Sequence, residues 1–167
     1  MKTPYDIAAL DLSVPQTLYL PDDNATATLG ALVAPILQAG DVVYLHGELG
    51  MGKSTLARGL IRALTTPDQD VPSPTFTLIQ GYDTPGFTLL HLDLYRLDDP
   101  SEARELGLDE ALAGGALVIE WPEKLAHFGF DDRLDIVLEE ADRTNFSGGR
   151  IAHIARHGKF RESVPKE

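Results

Sequence analysis

The stretch "LHGELGMGKSTLARGL" at residues 45–60 contains the pattern G-x-x-x-x-G-K-[ST] without a gap. Its defining residues are Gly47, Gly52, Lys53 and Ser54. Such glycines let backbone N–H groups curl around phosphate oxygens, while the lysine reaches the β- and γ-phosphates and the hydroxyl binds Mg²⁺. The apolar run "VVYLH" (42–46) precedes the loop, and a helical pattern follows it to about residue 64. This context predicts a strand, a phosphate-binding loop and a helix, and it disfavours a plain glycine turn with a solvated lysine.

The bulk composition limits the classes of protein that this chain can be. Its 167 residues are 43% hydrophobic and 24% charged, as in one globular domain. The formal net charge of −12, with scattered lysine and arginine, disfavours nucleic-acid binding as an activity of its own. Distant surface charge is screened beyond about 10 Å, so aligned dipoles, one lysine and a cation can still hold an anion. Cysteine is absent and no long apolar run occurs, so we expect a cytoplasmic protein without disulfides, signal peptide or membrane helix.

The remaining patterns alternate between strands and helices. Strands are expected over 17–21, 76–82, 87–95, 116–121, 133–140 and 150–158, with a hairpin around "DTPG" and short helices over 99–115. A helix that follows Asp22 or Asp23 is expected to kink at Pro35. We predict one α/β domain over residues 1–157, with a mixed sheet between helices, and a frayed tail over residues 158–167.

Two carboxylates interrupt apolar strands. Asp93 lies in "FTLLHLDLYRL", and Glu120 lies near the end of "ALVIEW". An unpaired charge is costly in such a strand, and contact with a metal ion or with water is a reason to tolerate it. A nucleoside triphosphatase needs an acid of this kind beside its metal. The sequence alone leaves open the alternative that Asp93 pairs with Arg96 or His91 and only holds the sheet.

Four further side chains have two interpretations each. Thr75 in "SPTF" (73–76) lies where a switch loop could meet the γ-phosphate, but the residues alone favour a proline-rich turn. His46 and His91 lie beside apolar strands, where a satisfied histidine is expected more often than a metal ligand. Arg96 could act as an arginine finger, although a pair with a nearby aspartate is the default.

Taken together, five segments resemble the TsaE (YjeE) family of small bacterial ATPases, which act in the threonylcarbamoyladenosine modification of tRNA. The segments are "GELGMGKST", "SPTFTLI", "HLDLYRL", "ELGLDE" and "VIEWPEKL", in this order and with short spacings. The resemblance extends over about residues 15–155. It implies a P-loop NTPase-like three-layer sandwich whose central mixed β-sheet has about seven strands.

The resemblance also implies roles for individual residues. The nucleotide would be bound by Thr26, Glu48, Leu49, Gly50, Met51, Gly52, Lys53, Ser54, Thr55, Trp121 and Arg150. The metal would be bound by Ser54, Glu120 and Asp93, and catalysis would involve Lys53, Asp93, Thr75 and Glu120. The likeness reverses the preference for a turn at Thr75, and it leaves open which carboxylate orients the attacking water. Met51 and Ser54 depart from the family's usual small residue and threonine, which does not undermine the assignment.

The function that the resemblance implies is binding of ATP with Mg²⁺ and weak hydrolysis by the isolated protein. It further implies a complex with TsaB and TsaD, through which the protein would serve N6-threonylcarbamoylation of the adenosine next to the tRNA anticodon. Contact with tRNA would then be indirect. Two alternatives remain open. A small-molecule kinase would need an acceptor pocket and an arginine-bearing lid, and a nucleotide-gated binding module would hold ATP and barely cleave it.

Overall fold

The computed structural model describes residues 1–161, which form a seven-stranded sheet flanked by helices. The strands are β1 (Gln16–Leu20), β2 (Val42–His46), β3 (Ile79–Thr84), β4 (Phe87–Asp93), β5 (Gly115–Glu120), β6 (Arg133–Glu140) and β7 (Arg150–His157). The α-helices are α1 (Asp23–Val33), α2 (Lys53–Leu64), α3 (Glu102–Glu105) and α4 (Leu108–Ala111). Short 3₁₀ helices cover Pro4–Asp6, Ala34–Ile36 and Pro122–Phe128.

The sheet is mixed, and its strand order is β1-β7-β6-β2-β5-β4-β3. The four central strands β6, β2, β5 and β4 run parallel, while β7 and β3 pair with them antiparallel and β1 pairs antiparallel with β7. This topology confirms the predicted α/β class with a central mixed sheet. The parallel run also brings the carboxyl ends of β2, β5 and β4 to one edge, where open α/β sheets bind ligands.

Helices pack on both faces of the sheet because strand side chains alternate in direction. Val43 and Leu45 of β2 belong to a core shared with α1 and α2. Val42 and Tyr44 belong to a second core shared with α3, α4 and the 3₁₀ helix at Pro122–Phe128. β5 is buried along its whole length, as expected of a strand covered on both faces. The result is the predicted three-layer arrangement.

Two glycines allow α1 and α2 to cross at very short range. A Cβ added at Gly59 would lie 2.1 Å from the carbonyl oxygen of Ala27, and one added at Gly30 would lie 2.1 Å from the carbonyl oxygen of Leu56. Both obstacles are backbone atoms, which cannot rotate away. This contact holds α2, whose first residue borders the glycine loop after β2, against α1.

Two predicted elements differ in their limits. The helix expected to kink at Pro35 ends instead, because α1 stops at Val33 and a 3₁₀ turn follows. Proline has no N–H to continue the helical hydrogen bonds. The strand expected from residue 76 begins only at Ile79, since Leu78 has a φ of 64° and interrupts the extended backbone.

The predicted frayed tail over residues 158–167 is wrong for its first four residues. Phe160 is only 4% exposed and packs in the first core, and the Arg161 guanidinium pairs with the carboxylate of Asp41. An aromatic ring buried after β7 extends the packed region beyond residue 157. Residues 162–167 lie outside the described part of the chain. Over residues 1–161, no helix is both long enough and apolar enough to cross a membrane.

Candidate functional site

The carboxyl ends of β2, β5 and β4 border an open cleft of ≈ 490 Å³. Eleven predicted site residues line this cleft: Leu49, Gly50, Gly52, Lys53, Ser54, Thr55, Thr75, Asp93, Glu120, Trp121 and Arg150. They come from the loop after β2, from α2, from the loop before β3 and from the ends of three strands. Segments far apart in sequence therefore meet at one place, as the motifs predicted.

The loop after β2 turns sharply because its glycines adopt backbone angles that other residues rarely take. Gly47 has a φ of 149° and Gly52 a φ of 98°. A Cβ at Gly47 would also lie 2.7 Å from the carbonyl oxygen of Leu138. α2 starts at Lys53, so its free N–H groups and the positive end of its dipole lie beside this loop. This arrangement is suited to an anion.

Lys53 is nearly buried, with 4% of its surface exposed. Its Nζ donates to the carbonyl oxygens of Gly47 and of Glu48, the latter at 2.9 Å, and lies 4.1 Å above the centre of the Trp121 ring. Burial lowers the pKa of Lys53, and the nearby Glu120 carboxylate is the main group that opposes this shift. The lysine is therefore held in the cleft by neutral acceptors and an aromatic face.

Glu120 joins α2 to β4 through two side-chain contacts. Ser54 Oγ donates to Glu120 Oε1 at 2.9 Å, and His91 Nε2 lies 2.6 Å from Glu120 Oε2. Glu120 is 2% exposed and His91 is 1% exposed. β5 lies next to β2, with Glu120 opposite Leu45 in the register. The carboxylate thus lies beside the serine that the motif assigns to the metal.

Asp93 holds the threonine loop. Thr75 Oγ1 donates to Asp93 Oδ2 at 3.1 Å, and the Tyr95 N–H donates to Oδ1 at 3.0 Å. Thr75 Oγ1 also lies 2.7 Å from Ser73 Oγ, two residues before it in the same loop. The structure brings Thr75 into the cleft, as the family resemblance implied.

The alternative partners proposed for Asp93 are not those seen. His91 pairs with Glu120, and the Arg96 guanidinium lies 4.5 Å above the ring of Phe76, not beside an aspartate. The default expectation of an Arg96–aspartate pair is therefore wrong: the side chain stacks on the exposed ring of the threonine loop. His46 forms a pair with Asp135 at 2.8 Å, as expected of a satisfied histidine.

Trp121 and Arg150 close the two sides of the cleft. Trp121 has a φ of 59°, an unfavourable conformation for a bulky residue, and its ring centre lies 5.0 Å from that of Tyr95. Arg150 donates to the carbonyl oxygen of Gly50 at 3.2 Å and so ties the loop to the start of β7. Strain at Trp121 is typical of functional sites, where surrounding contacts enforce it.

Three predicted nucleotide-binding residues do not line the cleft. Thr26 is 2% exposed, its hydroxyl donates within α1 to the carbonyl oxygen of Asp22, and its methyl group packs against Gly52. Met51 packs against the first core, and Glu48 contributes its carbonyl oxygen to Lys53. These contacts hold the loop, and a direct role of the three residues in nucleotide binding stays a prediction.

Two cleft residues were missed. Asp23 begins α1, and Ser73 lies two residues before Thr75. Ser73 could have been found from its place in "SPTF". Asp23 could not, because its position depends on how α1 packs against the loop.

The oxygen-rich side chains of the cleft fit a magnesium ion. Ser54, Glu120 and Asp93 offer a hydroxyl and two carboxylates, the ligand types that Mg²⁺ prefers. Residues 1–161 contain no group of three or more histidine, aspartate and glutamate side chains that could hold a metal on their own. Mg²⁺ is usually bound through one or two carboxylates together with substrate phosphates.

Comparison with known proteins gives consistent results. Residues 20–148 match the family model described as "Threonylcarbamoyl adenosine biosynthesis protein TsaE". A Rickettsia felis protein named tRNA threonylcarbamoyladenosine biosynthesis protein TsaE is 40% identical over 125 residues, which cover 75% of this chain and 73% of the relative. A Bacillus subtilis protein of the same name is 38% identical over 117 residues, covering 70% and 72%.

A solved structure agrees with the fold. The crystal structure of Bacillus subtilis YdiB superposes with a TM-score of 0.70 and 27% sequence identity, covering 89% of this chain and 90% of that one.

Proposed function

The chain belongs to the TsaE family of threonylcarbamoyl adenosine biosynthesis proteins, and from this premise we propose that it is a Mg²⁺-dependent ATPase with slow turnover. It would act with TsaB and TsaD in the threonylcarbamoyladenosine modification of tRNA. The observation that carries the proposal is the joint position of Lys53 and the Ser54–Glu120 pair at the mouth of the glycine loop.

Phosphate binding follows from the loop. Backbone N–H groups, the start of α2 and Lys53 all direct positive charge to one side of the cleft. Among residues 1–161, Lys53 contacts carbonyl oxygens and an aromatic face but forms no salt bridge, so a phosphate would not have to displace a carboxylate from it. These local groups offset the net charge of −12, because distant surface charges are screened.

Ser54 and Glu120, with Asp93 nearby, would hold Mg²⁺. The bound ion would neutralise charge on the phosphates and help to orient them.

Hydrolysis needs a group that orients water. Glu120 lies beside the proposed metal-binding Ser54, whereas Asp93 contacts the threonine loop, so we assign this role to Asp93. Water attacks the γ-phosphorus, the bond to the β-phosphate bridge oxygen breaks, and ADP and phosphate leave. Thr75 and the Tyr95 N–H already occupy one site on each Asp93 oxygen, which is a reason to expect slow turnover by the protein alone.

The threonine loop would link nucleotide state to partner binding. Thr75 lines the cleft, whereas the next residue, Phe76, is 83% exposed. A change at Thr75 on loss of the γ-phosphate would therefore move an exposed aromatic ring. The Arg96 guanidinium stacked on that ring would move with it.

The proposal is tested by measuring ATP hydrolysis alone and with TsaB and TsaD added. We expect slow turnover alone, faster turnover in the mixture, and loss of turnover in D93A. The matched control is D83A, because Asp83 is exposed on β3 and lies outside the cleft. A rate that is fast without partners, or equal in D93A and wild type, would contradict the proposal.

A further inference from the structure

A buried histidine lies behind the proposed metal ligand. His91 is on β4, one strand beyond Glu120, and only 1% of its surface is exposed. We propose that His91 is a positioning residue that fixes the Glu120 carboxylate for cation binding. This inference rests on the proposed binding of ATP with Mg²⁺ and assigns a role to a side chain that does not line the cleft.

The geometry holds Glu120 from two sides. His91 Nε2 lies 2.6 Å from Oε2, while Ser54 Oγ donates to Oε1 at 2.9 Å. The two contacts come from different elements, one from β4 and one from α2. A carboxylate accepts about four hydrogen bonds, so lone pairs remain for a cation after both contacts form.

The surroundings select one form of the ring. His91 Nδ1 is buried and has no hydrogen-bond partner among the described residues. A buried N–H without an acceptor is more costly than a buried lone pair on a nitrogen, because it leaves a strong donor unpaired. The ring therefore carries its hydrogen on Nε2 and donates it to Glu120.

Removing this donor leaves Glu120 Oε2 buried and unpaired. The carboxylate then gains by turning toward water or toward Lys53, and the alignment with Ser54 is lost. Groups that orient a metal ligand in this way typically cost ten- to hundred-fold in metal affinity when they are removed.

The test measures ATP affinity at increasing Mg²⁺ concentrations in three variants. H91L keeps an apolar side chain without a donor, and H91Q keeps an N–H donor. H153L is the matched control, because His153 Nε2 also bonds a carboxylate, Glu139 Oε1 at 2.7 Å, on an exposed part of the sheet. We expect H91L to need about ten- to hundred-fold more Mg²⁺ for half-maximal binding. H91Q should recover most of this loss, and H153L should match the wild type.

A second readout does not depend on nucleotide. Long-range ¹H–¹⁵N correlation spectra of the wild-type protein report which ring nitrogen of His91 carries hydrogen, with H91Q identifying the signal. Hydrogen on Nε2 alone supports the proposal, and hydrogen on Nδ1 alone overturns it. H91L that folds and shows wild-type Mg²⁺ dependence also overturns it. A wild-type protein that binds no ATP at all would instead overturn the proposed function, and the cation role with it.

Discussion

The helix that presents the phosphate-binding loop depends on a glycine contact, and Gly59→Ala tests this directly. Helix propensity alone predicts that the change stabilises α2, because alanine is favoured over glycine in a helix interior by about 1 kcal/mol. The structure predicts the opposite sign. The new Cβ would lie 2.1 Å from the carbonyl oxygen of Ala27, whereas real Cβ contacts essentially never fall below 3.0 Å.

The magnitude follows from the nature of the obstacle. The carbonyl belongs to the backbone of α1, so relief requires the two helices to separate and the fully buried Leu29, Leu56 and Leu60 to lose contact. Overpacking of this kind costs typically about 1–3 kcal/mol. Since the obstacle is backbone, we expect the upper part of this range, about 2–3 kcal/mol. Subtracting the propensity gain of about 1 kcal/mol leaves a net loss of about 1–2 kcal/mol, or about 2–8 °C in Tm for a chain of this size.

The assay is denaturant and thermal unfolding of G59A, with G114A as the matched control. Nothing lies within 4 Å of a Cβ added at Gly114, so its stability should stay within about 0.5 kcal/mol of the wild type. Because Lys53 begins the same helix, G59A should also bind ATP more weakly. A G59A protein as stable as the wild type, or more stable, would refute the close-packing argument.

Three further predictions concern the cleft and the sheet. E120Q keeps a hydrogen-bond acceptor for Ser54 but removes the charge. The factor by which Mg²⁺ strengthens ATP binding, measured by titration with and without chelator, should therefore be smaller by at least about tenfold in E120Q than in the wild type. An unchanged factor would count against Glu120 as a ligand. Trp121 is the one tryptophan of the chain, and its ring centre lies 4.1 Å from Lys53 Nζ. Its fluorescence should therefore change saturably with ATP and Mg²⁺ as the lysine moves to the phosphates. Binding that calorimetry detects without any change in fluorescence would contradict this. Burial by itself raises the pKa of Asp135, but hydrogen bonds from His46 and Arg133 outweigh it and hold that pKa below its usual value. The stabilisation is therefore present above the unfolded pKa of about 3.9 and is lost as the pH falls through the folded value. D135N should be about 1 kcal/mol less stable than the wild type at pH 7, and its free energy of unfolding should fall less below pH 4. Parallel curves of unfolding free energy against pH for the two proteins would disprove this role of Asp135.

Local patterns were enough to find most of the cleft. The loop residues from Leu49 to Thr55 are contiguous, so their chemistry can be identified without knowledge of the fold. Asp93 and Glu120 stood out because each interrupts an apolar strand. The loop motif and the two interrupted strands can both be recognised from neighbours in sequence. Of the loop residues from Leu49 to Thr55, all but Met51 line the cleft.

Pairing across the sheet could not be predicted in the same way. His91 contacts Glu120 and not Asp93. This pairing depends on the direction in which each side chain leaves its strand and on the parallel register, which sets Asp93 opposite Glu120. Likewise, the resemblance predicts Thr26 at the adenine end, and its contact with Gly52 depends on packing between α1 and the loop that neighbours in sequence do not reveal. The burial of Phe160 depends on a pocket formed by distant residues, which a polar C-terminal sequence does not reveal.

The central claim is that Lys53 and the glycine loop bind the phosphates of ATP together with Mg²⁺. Isothermal titration calorimetry of the wild type, K53A and K159A tests it most directly, since Lys159 is exposed and lies outside the cleft. The account predicts that the wild type and K159A bind ATP with Mg²⁺ saturably. K53A should bind at least about tenfold more weakly, because it loses a hydrogen bond to a charged phosphate, which contributes about 1.5–3 kcal/mol. Absence of binding by the wild type, or equal affinity in K53A, would contradict it.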